Sequence, residues 1–373
     1  MIPFNKPSLT GKEIDYILDA VESGQLSGDG KYTDACQTLI NRETGCKSSL
    51  LTHSCTAALE MTALLADIKA GDEIIMPSYT FVSTANAFCM RGGIPVFIDI
   101  REDTLNMDER LVEQAISKKT KALVAVHYAG IGCEPHFLKS ICKKYDILLI
   151  EDAAQGIGAR FSGKPLGSFG DLATLSFHET KNVISGEGGC LLVNNPKFIK
   201  NAEIIREKGT NRKSFQRGEV GKYTWLEIGS SYLPGELIAA FLLAQLESSS
   251  KITASKLNIW NEYFQGFEQL ETSGFLRRPS VPSNCEHNGH LFFLILESQA
   301  IRQKLIDHLM SDGINSVFHY IPLHSSPAGK KYAKTSGNLN VTEEMSKRIL
   351  RLPSWIGFDK TKQVIESIHN FYK

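Results

Sequence analysis

The sequence lacks the features that mark several large functional classes. It has no excess of charge, because Lys and Arg together number 41 and Asp and Glu together number 41. A uniformly basic surface for nucleic acid or an anionic membrane is therefore not expected. No apolar run is long enough to span a bilayer, and residues 1–5 do not combine a basic region with an apolar one. We expect a cytoplasmic protein without a nucleic-acid or membrane partner.

Cysteine pairs, zinc-site spacings and a dinucleotide fingerprint are also missing. The eight cysteines include no Cys-x-x-Cys pair, and no histidines cluster at zinc spacing, so we expect reduced thiols and no metal site. No Gly-x-Gly-x-x-Gly motif follows an early strand, which argues against a nicotinamide dehydrogenase.

The pattern of apolar residues predicts an α/β protein. The chain has 373 residues, 42% of them hydrophobic, which is enough for two domains that share one active site. From residue 48 to about 193, short apolar runs alternate with helical segments, as in a largely parallel sheet flanked by helices. The predicted strands are Leu50–Leu51, Glu73–Met76, Ile94–Ile98, Ala122–Val126, Ile147–Ile150, Ala173–Ser176 and Cys190–Val193.

The two ends of the chain predict further elements. Thr10 and Glu13 have the spacing of a capping box, which predicts a first helix ending near Gly24. A helical stretch from 237 to about 270 leads into a smaller α+β region, with strands at 291–296 and 316–320 around a helix at 299–309. We predict a large α/β domain over residues 1–248, including the N-terminal helix, and a small α+β domain over residues 249–373.

Lys181 is the candidate catalytic residue. A free lysine is protonated at neutral pH, so Schiff-base chemistry requires that it be confined beside an aldehyde cofactor. The glycines of 186–189 would let the backbone turn tightly beneath a flat ring. A surface lysine next to a turn is the ordinary alternative, and the neighbouring motifs decide between the two readings.

Residues at predicted strand ends supply the other parts of such a site. Ser54–Thr56 opens a helix, where unpaired N–H groups suit a phosphate, although simple N-capping explains the same residues. Asp152 would place a carboxylate under a pyridine nitrogen, or cap a helix, and Gln155 would reach the phenolic oxygen of the ring. Phe81 would stack on the ring or belong to the core, and Ser176 would donate to the phosphate. In this order along the chain, the set indicates pyridoxal phosphate.

The motifs resemble those of the DegT/DnrJ/EryC1/StrS sugar aminotransferases, in family order along essentially the whole chain. The matching segments are Ser54–Leu59, Pro77–Thr84, Glu151–Gln155, Ser176–Lys181, Gly186–Gly189 and His319–His324. The resemblance implies the fold of aspartate aminotransferase, which is fold type I of the pyridoxal phosphate enzymes, with a large, mostly parallel sheet domain and a small α+β domain. It also implies a homodimer whose active sites are built from both chains.

The resemblance further implies roles for individual residues. Lys181 would form the Schiff base and carry the proton between substrate and cofactor, with pyridoxamine phosphate as the intermediate form. Cys55, Thr56 and Ser176 would hold the phosphate. The family often has Asn in a Gly-x-Asn-Tyr segment that reaches the neighbouring subunit's phosphate, whereas this chain has Ser231 there. That cross-subunit contact is therefore an open question.

The expected reaction transfers the amino group of L-glutamate to a keto sugar nucleotide. Four segments most resemble family members that aminate C4 of dTDP-4-dehydro-6-deoxy-D-glucose to the galacto product, in surface polysaccharide synthesis: residues 27–30, 178–182, 207–212 and 222–225. The gluco epimer, a 3-keto sugar and a UDP-linked substrate stay open. A dehydratase, which carries His in place of the lysine, and a non-catalytic regulator are disfavoured. The candidate substrate contacts are His319, Tyr320, His324 and Lys208.

Overall fold

The computed structural model describes residues 1–373, and fifteen α-helices account for much of the chain. The helices are α1 (Glu13–Glu22), α2 (Lys31–Thr44), α3 (Cys55–Leu65), α4 (Val82–Cys89), α5 (Val112–Ala115), α6 (Pro135–Tyr145), α7 (Ile199–Arg206), α8 (Arg212–Gln216), α9 (Glu236–Glu247), α10 (Ser249–Gly266), α11 (Glu268–Thr272), α12 (Gln299–Ser311), α13 (Pro327–Tyr332), α14 (Asn340–Arg348) and α15 (Thr361–Phe371). None of them is long and apolar enough to cross a membrane.

Fourteen strands form three sheets. The strands are β1 (Ser48–Thr52), β2 (Glu73–Pro77), β3 (Ile94–Ile98), β4 (Thr120–Val126), β5 (Leu148–Asp152), β6 (Arg160–Phe161), β7 (Lys164–Pro165), β8 (Leu172–Ser176), β9 (Gly189–Val193), β10 (Leu276–Arg277), β11 (Cys285–Glu286), β12 (Phe292–Leu296), β13 (Lys334–Thr335) and β14 (Ile349–Leu352). The eight-stranded sheet has the order β1-β9-β8-β5-β4-β2-β3-β13, and only β9 runs antiparallel to its neighbours. The predicted α/β architecture is confirmed.

The large sheet is buried on both faces, which explains why its strands are continuous apolar runs. One face packs with α3 in a cluster that includes Met61 and Phe88, and the other packs with α2 and α9 in a cluster that includes Ile40 and Leu246. Because the central strands are parallel, their carboxyl ends meet at one edge of the sheet. That edge carries the polar residues that follow β2, β4, β5 and β8.

The small sheet has the order β10-β12-β14, and side chains alternate between its two faces. Phe292 and Leu350 point into the core of the small region, whereas Phe293 and Ile349 face an aromatic cluster shared with the large sheet. The division at residues 248 and 249 stays a prediction. Three pairings cross it: Ile2 bridges to Ile314, β11 pairs with β6, and β13 lies beside β3.

One local prediction was confirmed in part, and another was wrong. Glu13 accepts the N–H of Thr10 at 2.6 Å, which is one half of the predicted capping box, but helix α1 begins at Glu13, two residues later than a cap at Thr10 requires. Residues 316–320 are not a strand, since only Val317 makes a bridge, to Arg351. The segment instead places its polar groups against the large sheet, as described below.

Candidate active site

Asp152 lies at the carboxyl end of β5, in the middle of the large sheet. Its side chain is only 5% exposed. One carboxylate oxygen accepts the hydroxyl of Thr84 at 2.7 Å, and the other accepts the N–H of Ala154 at 3.2 Å. Each oxygen has a second lone pair, so the carboxylate can still accept a charged N–H group from a ligand.

The neighbouring residue Glu151 points the opposite way and anchors this strand end. Its buried carboxylate accepts the N–H groups of Gly167, Phe169 and Gly170 and pairs with Nε2 of His127 at 2.8 Å. Burial alone would raise its pKa, but the hydrogen bond to His127 and those from the backbone lower the pKa below its ordinary value. Because successive side chains of a strand point to opposite faces, the carboxylate of Glu151 anchors the strand end and the carboxylate of Asp152 is open to a ligand.

Lys181 lies in the loop between β8 and β9, where its N–H donates to the carbonyl of His178 at 2.9 Å. Burial lowers the pKa of its amine, the negative charge that Cys55 and Asp152 would carry opposes that shift, and the guanidinium of Arg351 adds to it. A lowered pKa makes the neutral, nucleophilic amine more accessible. The structure thus brings Lys181, Asp152 and Cys55 together, as the sequence predicted.

The N-terminus of α3 lies beside this group. The side chain of Ser54 caps the helix by accepting the N–H of Ala57 at 3.1 Å. Helix geometry leaves the N–H groups of Cys55 and Thr56 without an intrahelical acceptor, so they can bind an anion. A side chain on Gly189 would come within 2.4 Å of the Cys55 nitrogen, so glycine is required for the helix to approach β9 this closely.

The side chains at this helix end are neutral hydrogen-bonding groups. The hydroxyl of Thr56 pairs with that of Ser83 at 2.7 Å. Ser176, at the end of β8, is opposite Gly189 in the sheet register. Burial raises the pKa of the Cys55 thiol to about 12, so it is not ionised at neutral pH. The helix end can therefore bind an anion without losing the N-cap that Ser54 provides.

Gln155 and Phe81 border the same space. Gln155 accepts the N–H of Ala129 at 2.7 Å, and its amide nitrogen lies 3.4 Å from the hydroxyl of Tyr320. Phe81, the N-terminal cap residue of α4, is 58% exposed, so it is not the core residue that the alternative reading required. Its ring centre lies 6.5 Å from that of Tyr320. The exposed ring of Phe81 therefore lies beside Tyr320.

The segment 319–324 crosses between the sheets. The carbonyl of His319 accepts the hydroxyl of Tyr79 at 2.8 Å, and its ring bonds to the hydroxyl of Tyr128 at 3.1 Å. Burial, with the nearby charges of Arg351 and Lys181, lowers the pKa of His319 to about 2, so its ring is neutral. Tyr320 packs against Tyr79 and Tyr128, with ring centres 5.4 and 6.1 Å apart.

His324 is placed differently from these residues. One of its ring nitrogens bonds to the hydroxyl of Ser78 at 2.7 Å, and the other lies 3.0 Å from the carboxylate of Glu343 on α14. Both nitrogens are therefore used within the chain. Its proposed contact with substrate has no support in this arrangement, and the geometry instead makes His324 a link between the end of β2 and α14.

Lys208 and Ser231 lie in a separate cavity of about 270 Å³, which Lys181 does not line. Its lining residues come from three regions of the chain: residues 27–29, 207–216 and 231–235. Glu207 pairs with Lys208 at 3.0 Å and with Arg212 at 3.1 Å. An anionic ligand would therefore share these two cations with the carboxylate of Glu207. Within one chain, the candidate site is thus in two parts.

Three residues of the Lys181 region were not predicted from the sequence. Thr84 orients Asp152, Tyr128 bonds to His319, and Arg351 lies near Lys181. Thr84 and Tyr128 fall inside segments that were noted for other residues. Arg351 had a visible signal, because it is the single charge in the apolar run 349–352.

Comparison with known proteins identifies the family and the fold. The profile of the DegT/DnrJ/EryC1/StrS aminotransferase family matches residues 7–369. GDP-perosamine synthase of Vibrio cholerae is 33% identical over 378 residues, which cover 100% of this chain and 99% of that protein. The putative sugar aminotransferase Spr1654 from Streptococcus pneumoniae, in its PMP form, superposes with a TM-score of 0.92 at 26% identity, over 100% of this chain and 99% of that one. Its PLP form superposes with a TM-score of 0.90 at the same identity, over 99% of this chain and 98% of that one. The predicted fold is confirmed.

Proposed function

Since this chain belongs to the DegT/DnrJ/EryC1/StrS aminotransferase family and is a pyridoxal phosphate-dependent sugar aminotransferase, we propose that it aminates C4 of dTDP-4-dehydro-6-deoxy-D-glucose. L-glutamate is the donor, and the product is dTDP-4-amino-4,6-dideoxy-D-galactose. The observation that supports the proposal is that two separate segments, residues 27–30 and 207–212, both resembling those of enzymes with this activity, line one cavity. Such a product would serve the synthesis of a lipopolysaccharide O-antigen or another surface polysaccharide in the cytoplasm.

The residues around Lys181 fit pyridoxal phosphate, which supplies an aldehyde to take up the amino group and an electron sink. Lys181 carries the proton between the substrate carbon and the cofactor, because its amine has a lowered pKa and no salt bridge within the chain. Asp152 keeps the pyridine nitrogen protonated through its open carboxylate lone pairs. Thr84 fixes the direction of that carboxylate.

The same geometry supports the remaining proposed cofactor contacts. The free N–H groups of Cys55 and Thr56, together with the hydroxyl of Ser176, hold the phosphate at the positive end of α3. Gln155 donates to the phenolic oxygen through its amide nitrogen, which has only a long contact of 3.4 Å, to Tyr320. The exposed ring of Phe81 stacks on the cofactor.

The cavity that contains Lys208 holds the diphosphate of the sugar nucleotide, in the complete site formed with a second copy of the chain. This arrangement explains why the cavity and Lys181 are separate within one chain. Exposed apolar side chains provide surface for a homodimer, among them Trp225 and Ile228, which follow the cavity-lining segment 207–213. Ser231 lies at the cavity wall and replaces the longer Asn of many family members. Its hydroxyl therefore reaches the cofactor phosphate of the neighbouring subunit through a water or not at all.

A GDP-linked 4-keto sugar is the second candidate. The proteins named GDP-perosamine synthase, from Vibrio cholerae and from Escherichia coli O157:H7, are 33% and 28% identical to this chain along its full length. Either nucleotide would bring the same diphosphate to the cavity, and the base would select between them. The product configuration depends on which way the sugar lies over the cofactor, so the gluco epimer is tested in the same experiment.

The test is a product assay with purified enzyme, pyridoxal phosphate and L-glutamate. The dTDP-linked and GDP-linked 4-keto-6-deoxy sugars are supplied separately, and kcat/KM is compared. We expect the dTDP substrate to be preferred and the product to show the small H3–H4 proton coupling of an axial 4-amino group. A large coupling would establish the gluco epimer, and a preference for the GDP sugar would refute the nucleotide assignment.

A further inference from the structure

Asn288 is a buried polar residue to which the site described above gives no role. It is 1% exposed and lies in the segment between β11 and β12. Because β11 pairs with β6 and β12 belongs to the small sheet, this segment passes from the large region to the small one. A buried amide needs partners for its two N–H groups and its oxygen. The partners of Asn288 show what the segment holds together.

The side chain of Asn288 contacts two loops at the carboxyl edge of the large sheet. After β5, the carbonyls of Gln155 and Ile157 each accept its amide nitrogen at 2.8 Å. After β4, a side chain at Gly130 would come within 2.2 Å of its amide oxygen, so only glycine lets that loop pass. The same oxygen accepts the N–H of His290 at 3.1 Å. Both ends of the amide are therefore used within the chain.

The loop that carries Lys181 is tied to the same residue. The buried Asn182 donates its amide nitrogen to the carbonyl of Asn288 at 2.9 Å. Its amide oxygen then faces Nδ1 of His290 at 3.1 Å, so this nitrogen must carry the hydrogen. Burial, with the nearby charges of Lys181 and Lys256, lowers the pKa of His290 well below its ordinary value, and the ring is neutral. The link is thus a chain of uncharged hydrogen bonds.

These bonds hold Gln155 from two sides. Its side-chain oxygen accepts the N–H of Ala129 at 2.7 Å, and its backbone carbonyl accepts the amide of Asn288 at 2.8 Å. Its amide nitrogen has only one long contact of 3.4 Å and can donate to a ligand. Since Asn288 also holds Asn182, next to Lys181, one residue of the small region fixes the position of Gln155 relative to the lysine.

We propose that Asn288 is a positioning residue: by holding Gln155 and the Lys181 loop together, it aligns the Gln155 amide with the phenolic oxygen of the cofactor. This inference rests on the proposed contact of Gln155 with the cofactor, and it does not depend on which sugar nucleotide is the acceptor. A donor at the phenolic oxygen stabilises its negative charge and makes the neighbouring Schiff-base nitrogen less basic. The quality of the contact is therefore measured by the pH at which the lysine-bound cofactor loses its proton.

The experiment is a pH titration of the visible absorbance of the lysine-bound cofactor in Gln155→Leu, Asn288→Ala and the double variant. We expect Gln155→Leu to raise the midpoint by about one pH unit, as the loss of one hydrogen bond implies. Asn288→Ala should raise it by at least about half a unit. The double variant should match Gln155→Leu alone, because Asn288 acts through Gln155. Fully additive shifts, or a wild-type midpoint in Asn288→Ala, would overturn the proposal.

Asn194 provides a matched control. Its amide nitrogen also donates to two carbonyls, those of Gly167 and Gly170, both at 2.9 Å. It follows β9, which runs antiparallel to β8, so it lies at the edge of the sheet opposite to Lys181. We expect Asn194→Ala to be less stable in urea, as Asn288→Ala is, but to keep the wild-type midpoint. An equal shift in Asn194→Ala would assign the effect to a general loosening of the fold, and the proposal would be wrong.

Two further measurements keep the test decisive. Asn288→Ser keeps an acceptor for the N–H of His290 but is too short to donate to both carbonyls, so it should also raise the midpoint and replaces Asn288→Ala if that variant does not fold. In the cofactor-free protein, hydrogen exchange at the N–H of Ala129 should be roughly 10-fold faster in Asn288→Ala than in Asn194→Ala, because Gln155 no longer holds it. Equal exchange in the two variants would contradict the proposal.

The titration separates this inference from the proposed substrate. The ionisable groups that act on Lys181, namely Cys55, Asp152 and Arg351, are the same in every variant, so their effect on the midpoint cancels. A wild-type midpoint in Gln155→Leu would refute the contact of Gln155 with the cofactor, and the inference with it. If the midpoints shift as expected but the dTDP-linked sugar is not aminated, the substrate assignment alone is wrong.

Discussion

The buried lysine of α10, Lys256, should make the stability of the protein depend on pH in a defined window. Its side chain is 4% exposed and has no carboxylate partner. Its amine donates to the carbonyl and the hydroxyl of Ser354, at 2.8 and 2.7 Å. A neutral amine has two hydrogens, enough for both bonds, so the charge adds little. Burial lowers its pKa from 10.5 to about 7.

The sign and size of the effect follow from proton linkage. Between pH 7 and 10.5 the unfolded chain holds this proton and the folded chain does not, so the free energy of unfolding rises with pH. Below pH 7 both states are protonated and the folded state keeps the full penalty. From pH 6 to pH 9 the expected gain is about 2.6 kcal/mol, at 1.36 kcal/mol for each pKa unit of difference.

The assay compares the wild-type protein with Lys256→Met by urea unfolding, monitored by circular dichroism at several pH values. Methionine preserves the length of the side chain but does not titrate, so subtracting the two curves cancels the other ionisable groups. We expect the difference to favour Lys256→Met most at pH 6 and to shrink steadily toward pH 9. A difference that stays constant across this range would refute the argument, because it would mean that the amine keeps its ordinary pKa.

Four further substitutions test the site and the stability of the fold around it. Lys181→Ala should abolish turnover and the visible absorbance of the lysine-bound cofactor together, and near-normal turnover would exclude the proposed proton transfer. Asp152→Asn should retain the cofactor, measured by its fluorescence after release, yet lower kcat by at least about 100-fold because the pyridine nitrogen loses its charge partner. Thr84→Val should lower kcat by about 10-fold, because it removes one hydrogen-bond donor from Asp152, and Thr84→Ser should restore the activity. Equal activity of the two variants would show that the hydroxyl is not needed. Glu236→Gln should lower the free energy of unfolding by about 2 to 4 kcal/mol. The reason is that the buried carboxylate of Glu236 accepts three N–H groups and one hydroxyl at the start of α2. An unchanged urea midpoint would contradict this.

The local sequence was sufficient to predict a residue's position where its residue type has one good physical explanation. Lys181, Asp152 and the helix end at Cys55 were predictable because each follows a continuous apolar strand, and the carboxyl ends of parallel strands must meet. The strand of residues 316–320 was predicted wrongly for the opposite reason. Its apolar and aromatic residues fit a strand, but they contact the large sheet through side chains and not through a ladder of backbone hydrogen bonds.

The sequence by itself determined the fold class, the family and the order of the residues that we propose face the cofactor, since these depend on periodicity and on short motifs. The tertiary structure decided which residues act together across the two sheets. Only packing shows that Thr84 orients Asp152, that His324 is already used by Ser78 and Glu343, and that Arg351 lacks a partner. Those facts join positions up to 246 residues apart, from Ser78 to His324, and a contact at that separation leaves no local pattern in a single sequence.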